Sequence, residues 1–206
     1  MIRYDGTVRP ETLTSNGVDD YINIGYQPIV SDVVEIKIKY LTIDGTLRYL
    51  GTFDNAVPPS TRYYIGVTAA NKWRLAVGLT PLESVVVADT EINIFKIEGR
   101  ILYKNDVEII DGSADEGDIP EDLPFLLFAL NTPNGAQDFA NVDLYYFKVW
   151  RSGALIRHFV PTIDNQIQCL VTGQRYLNQG AGSLVPTGTK SCMTMSKSIR
   201  QLDYVI

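Results

Sequence analysis

The sequence predicts an all-β domain, a sandwich or a barrel, and three observations carry that expectation. About a dozen short runs rich in β-branched and aromatic residues recur along the 206-residue chain. Gly, Pro and Asn/Asp punctuate the gaps between them, and no amphipathic helical period longer than about two turns occurs before Met193. With 45% hydrophobic and 20% charged residues the chain can bury a sizeable core, and a β sandwich of roughly 200 to 250 residues forms one domain.

Residues 1–20 are polar, with Gly6, Pro10 and Gly17 breaking any period, so an extended arm over residues 1–14 is expected to lead into the first strand. Residues 20–24 alternate briefly and stop at Gly25. Residues 33–41, VVEIKIKYL, form the clearest strand: Val34, Ile36, Ile38 and Tyr40 lie on one face and Glu35, Lys37 and Lys39 on the other. One face is core and one is wet.

Residues 49–53 end in a loop where Pro58-Pro59 forbids regular pairing. Residues 63–67 and 72–78 read as a hairpin across Thr68-Ala69-Ala70-Asn71. After a turn at Pro81, residues 85–88, 91–98 and 100–110 are further strands, with Gly99 and Asn105-Asp106 at turns because they tolerate the left-handed conformation. Residues 111–124 hold six acidic residues, two glycines and two prolines, the composition of an exposed loop.

The apolar run FLLFAL, residues 125–130, is bounded by Pro124 and Pro133 and is assigned to a strand buried on both faces; period alone does not separate it from a buried helical turn. Residues 141–161 read as a β-hairpin about Arg151-Ser152-Gly153, ended by Pro161, which has no N–H for a ladder. Simple alternation puts Tyr145, Phe147 and Val149 on one face and Tyr146, Lys148 and Trp150 on the other. Residues 167–171 and 174–177 flank Thr172-Gly173 as a short hairpin, and residues 186–206 are expected to be an arm or a short helix.

A net charge of -6 with scattered Lys and Arg excludes a phosphate-backbone partner, so no nucleic acid is expected. No stretch approaches the ~18 apolar residues of a membrane span, and residues 1–17 lack the apolar core of a signal peptide. The expectation is a soluble chain that is not exported. Cys169 and Cys192 are too few for a disulfide framework or a zinc site, and idle thiols or one mutual disulfide both remain open.

Several stretches, in order, resemble the concanavalin A-like (laminin G-like) jelly-roll domains of phage virion and bacterial surface proteins. Residues 15–26, SNGVDDYINIGY, resemble the family's opening pattern, with Ile24 where Thr is usual. Residues 64–67, 73–78 and 101–107 are similar to its successive strands, with Asp106 in place of a turn glycine. Residues 127–131, the hairpin 145–161, and the set Gly173, Tyr176, Asn178, Gly180 and Gly182 resemble its later segments and its close. The resemblance implies a two-sheet antiparallel jelly-roll sandwich over residues 15–185, with arms at 1–14 and 186–206.

That fold also hosts glycoside hydrolases, which need two carboxylates roughly 5 to 10 Å apart. The strand that would carry them has Asn93 and Lys96 at the acidic positions. His158 is the only histidine, and no nucleophile elbow, P-loop or dinucleotide fingerprint accompanies it. A non-enzyme is expected, with a carbohydrate-active enzyme or its accessory module as the alternative. Asp111, Asp115 and Asp118 in the acidic loop are candidate oxygen ligands for calcium, although their spacing is not that of an EF-hand and no cofactor is required.

Aromatics are the remaining signal. Tyr146, Lys148 and Trp150, together with Trp73 and Arg74, are candidates for a ligand-binding face, since exposed Tyr and Trp beside polar groups suit sugar stacking or a protein interface. The resemblance implies a phage virion structural protein, assembled in the host cytoplasm. It would contact other virion proteins or its own copies, with a trimer by analogy, and would present a domain for which host glycans are the candidate ligand.

Overall fold

The computed structural model describes residues 8–43, 48–56, 59–115, 117–188 and 190–191. They form a two-sheet β sandwich without a helix, so among them no helix is long and apolar enough to cross a membrane. The larger sheet has ten strands. Its main path runs Val107–Asp111, Ile101–Lys104, Ile92–Glu98, Val33–Tyr40, Val142–Arg151, Ala154–Pro161, Ile167–Cys169 and Arg175–Tyr176. The smaller sheet has eight strands, with the path Gly135–Gln137, Leu130–Thr132, Arg48–Asp54, Thr61–Val67, Lys72–Gly78 and Leu82–Val87. Pairing is antiparallel except where Leu130 and Asn131 run parallel to Gly51 and Thr52.

Alternation builds the core. Val34, Ile36, Ile38 and Tyr40 from the larger sheet meet Tyr63, Ile65, Val67, Trp73, Leu75 and Val77 from the smaller one, and all ten are buried. Aromatic contacts tie the layers together: Trp73 sits 5.5 Å from Tyr40 and 4.6 Å from Phe95 between ring centroids. Phe125 stacks on Phe147 at 5.3 Å, and Phe147 lies 5.9 Å from Phe159. Each such pair adds ~0.5–1.5 kcal/mol beyond its area burial.

The hairpin turns follow their residues. Arg151 pairs with Ala154, leaving a two-residue loop in which Ser152 and Gly153 have φ of 50° and 77°. Lys104 pairs with Val107 across Asn105 and Asp106, at 51° and 65°. Both loops match the twist of the strands they join, because positive φ at both central residues gives the mirror-image turn.

Two expectations change. The run at residues 125–130 is not one strand but two pieces, Leu126–Leu127 and Leu130–Thr132. The break is at Phe128, whose φ is 71° and whose side chain is fully buried. Core packing holds a bulky residue in the left-handed region, and pairing with Gly51 switches from antiparallel at Leu126 to parallel at Leu130.

The boundary expected at residue 15 runs through paired structure. Thr12–Thr14 pairs with Val142–Arg151 on one side and with Val185–Thr187 on the other, and Val8–Arg9 pairs with Lys190–Ser191. Thr12–Thr14 and Val185–Thr187 are therefore strands of the larger sheet, and Val8–Arg9 with Lys190–Ser191 form a two-stranded ribbon of their own. The remainder of the expected C-terminal arm or short helix, from residue 192 on and with it Cys192, lies outside the described residues.

Candidate functional site

The wet face of the larger sheet is organised by strand register. Lys148 lies opposite Glu35, Glu35 opposite Lys96 and Lys96 opposite Tyr103, while on the other side Lys148 faces His158. One row across the sheet therefore reads His158, Lys148, Glu35, Lys96, Tyr103. The adjacent row places Tyr146 opposite Lys37.

Register against Val33–Tyr40 goes from Leu144 opposite Ile38 to Tyr146 opposite Lys37, so Tyr145 is an extra residue. This β-bulge shifts the phase of the strand by one. Val142 and Leu144 point inward before it, Phe147 and Val149 after it. Tyr145 was expected with the core set Phe147 and Val149; the bulge instead leaves it half-buried on the outer face beside Tyr146.

Lysines cover these rings. The Lys37 Nζ lies 4.8 Å from the Tyr145 centroid, Lys148 Nζ 4.1 Å from Tyr146 and 5.7 Å from Trp150, and Lys96 Nζ 4.6 Å from Tyr103. Each contact contributes ~0.5–1 kcal/mol at an exposed site and fixes where the ammonium sits. Lys148 also donates to Glu35 Oε1 at 2.9 Å. Burial, then a hydrogen bond to the same carboxylate, raises the Tyr146 phenol pKa. His158 meets Tyr146 edge-on at 6.2 Å, and burial, followed by the charges of Lys148 and Arg9, lowers its pKa.

Beside this row lies a groove of about 270 Å³ whose lining includes Arg9, Lys37, Tyr145, Tyr146, Pro161 and Leu170. The structure thus brings Tyr146, Lys148 and Trp150 together as the alternation predicts. It adds Tyr145, Lys37 and Arg9, which sequence reasoning missed. The signal for Tyr145 was present: the apolar positions move from even to odd numbers across Tyr145-Tyr146. Arg9 carried no local signal, because its place depends on pairing with Lys190, far away in sequence.

Trp73 and Arg74 do not belong to this face. Trp73 is 0% exposed, since Trp73, Leu75 and Val77 alternate into the core, which corrects its candidacy as a surface ligand contact. Arg74 points out of the opposite sheet, where its Nη2 pairs with Glu83 Oε1 at 2.7 Å. Adjacent strand residues face opposite ways, so the two never formed one site.

In the acidic loop the carboxylate of Asp115 is engaged by the chain itself. Asp115 is half-buried and accepts N–H bonds from Thr80 at 2.7 Å, Gly117 at 2.9 Å and Leu79 at 3.3 Å, with Arg100 Nη1 4.0 Å away. Burial pushes its pKa up, but those three N–H groups and Arg100 outweigh it and hold the carboxyl below its ordinary value. Asp111 accepts the Ser113 N–H at 2.9 Å, and Asp118 is exposed. Among the described residues no three His, Cys, Asp or Glu side chains converge as a metal site would need. On the strand expected to carry paired acids, Asn93 is buried and donates to Asp89 Oδ1 at 2.8 Å, while Lys96 pairs with Glu98 at 3.1 Å.

The outer face offers half-buried rings, ammonium groups paired in part with Glu35 and Glu98, and a histidine held toward its neutral form. Chemically this suits a ligand with a flat apolar face and a rim of acceptors. Comparison with known proteins finds no matching family model, no matching curated protein and no matching solved structure.

Proposed function

We propose that this chain is a non-enzymatic bacteriophage virion structural protein whose jelly-roll sandwich presents the outer face of its larger sheet to host-surface glycans. The observation that carries the reading is the row of lysine-covered rings, Tyr103, Tyr145, Tyr146 and Trp150, laid across one sheet face by strand register. Aromatic rings on a rigid sheet stack on sugars at low entropic cost, and sheet-borne side chains hold their spacing better than loop-borne ones. Further support comes from the two-stranded ribbon in which Val8–Arg9 pairs with Lys190–Ser191, a surface available to a neighbouring virion subunit or another copy of this chain.

Two measurements test it. Mass spectrometry of purified particles should find the protein in stoichiometric amount, and its absence there removes the virion assignment. A glycan array probed with the whole protein should give binders lost in Tyr146→Ala, whereas turnover of a bound oligosaccharide into shorter products would replace the reading with the enzymatic one.

A further inference from the structure

We propose that the groove beside Tyr145 and Tyr146 is a binding site for an anionic saccharide, a pyranose that carries a carboxylate or a phosphate. The inference rests on the glycan-presenting reading above and adds the class of sugar.

Two cations enter the groove from different elements, Arg9 from the edge ribbon and Lys37 from the central strand Val33–Tyr40. Lys148 close by is neutralised by Glu35 at 2.9 Å, whereas no carboxylate pairs with Arg9 or Lys37 among the described residues. The one acid in the lining, Glu11, is engaged in an interaction of its own. For a chain of net charge -6, a lining with Arg9 and Lys37 against the single carboxylate of Glu11 is a local reversal of sign, which attracts an anion over short range. Arg9 also reaches His158: burial first, then Lys148 and Arg9, disfavour its protonated form, with Glu35 opposing them.

The remaining walls fix the rest of the ligand. Tyr145 and Tyr146 are half-buried rings, and Pro161 and Leu170 add apolar surface next to them. A pyranose has a C–H face that fits such a wall and hydroxyl groups that reach a polar rim. At about 270 Å³ the groove lies just below the ~300–1,000 Å³ of drug-sized pockets, which suits one ring with its charged substituent rather than an extended peptide.

The test is calorimetric titration of the whole protein with three sugars: a uronic-acid tetrasaccharide, its carboxyl-reduced neutral counterpart, and a phosphodiester-linked oligosaccharide. An anionic sugar should bind at least about tenfold more tightly than the neutral one, as expected for a charge-assisted hydrogen bond, and the margin should shrink as salt rises. Which of the two anionic sugars binds better identifies the charged group. Arg9→Gln and Lys37→Gln should each erase the margin while the protein stays folded, with the melting temperature lowered by no more than about 4 °C from the lost Lys37–Tyr145 contact. Equal affinity for acidic and neutral sugars, or a margin that survives both substitutions, overturns the inference and leaves the glycan reading intact. Binding of poly-glutamate as tight as that of the sugars overturns the saccharide assignment. Failure of all three sugars, together with a blank glycan array, removes the glycan reading as well.

Discussion

Arg151 holds Asp32 through both carboxylate oxygens, Nε to Oδ1 at 2.8 Å and Nη2 to Oδ2 at 2.9 Å, across 119 residues of sequence. Asp32 is 0% exposed, and it also accepts the Ile29 N–H at 2.9 Å and the Tyr26 hydroxyl. The pair joins the entry of the central strand to the turn of the hairpin. Burial alone would raise the Asp32 pKa, but the bonds from Arg151, Tyr26 and Ile29 carry it below its ordinary value.

A depressed carboxylate stabilises the fold above its unfolded pKa, ~3.9, and loses that contribution as pH falls through the lower folded value. Arg151→Ala should therefore cost about 2 kcal/mol at pH 7, less than the ~3–5 of a fully buried pair because Arg151 is 40% exposed. Urea melts of wild type and Asp32→Asn should differ most at neutral pH and converge as pH drops below about 4. A difference that stays constant over that range would refute the linkage.

Trp73 tests the packing of the core. Its ring is enclosed by Tyr40 and Phe95 with Lys104 Nζ 5.6 Å above it, but its Nε1–H has no acceptor among the described residues. Removing the orphaned donor offsets part of the packing lost, so Trp73→Phe should cost about 1 kcal/mol, while Trp73→Ala should cost about 3–5. In Trp150→Phe the remaining emission should be blue-shifted and resist acrylamide, since it comes from Trp73 alone. Ready quenching of that emission would contradict the buried placement.

The acidic loop yields a prediction about metal. Asp115 anchors residues 79–80 and 117 through backbone N–H groups, so its oxygens are already committed. Asp115→Ala should lower stability by about 1–2 kcal/mol, the cost of leaving those donors unmet. The loss should be the same in millimolar calcium and in chelator, and the wild-type melting temperature should move by less than about 1 °C between them, because a ligand of the native state would raise it. A calcium-dependent rise would favour calcium binding at this loop.

The central strand at residues 33–40, the hairpin of 63–67 with 72–78 and the turns at Asn105-Asp106 and Ser152-Gly153 were legible because each depends on local periodicity or turn chemistry. The outer-face trio Tyr146, Lys148 and Trp150 was legible for the same reason. What escaped depends on partners distant in sequence. Trp73 and Trp150 are both strand tryptophans, and only the position of the second sheet decides that one is core and the other is not. Pairing of Thr12–Thr14 with Val142–Arg151 turned an expected arm into a strand, and a one-residue bulge moved Tyr145 from core to surface. The break at Phe128 is set by the enclosing core, which overrides a continuous apolar run.

The closing loop gives the sharpest test of backbone approach. Asn178 uses its whole amide there: Oδ1 accepts from Tyr21 N–H at 3.0 Å and Gly180 N–H at 3.1 Å, and Nδ2 donates to Asp20 Oδ1 at 2.6 Å and the Gly182 carbonyl at 2.9 Å. This draws the chain around Gly180 so close that a Cβ there would lie 1.6 Å from the Asp19 carbonyl oxygen. Gly25 is the counterexample, with φ of 59° and nothing within 4 Å of a Cβ. Gly25→Ala should cost only about 1 kcal/mol, the conformational penalty of the left-handed region, whereas Gly180→Ala should cost about 3 because backbone must move. Asn178→Ala, which strands buried Asp20 without one of its donors, should fall in the same range as Gly180→Ala. Urea midpoints for the three variants give the ranking, and a Gly180→Ala loss no larger than that of Gly25→Ala would disprove the close approach.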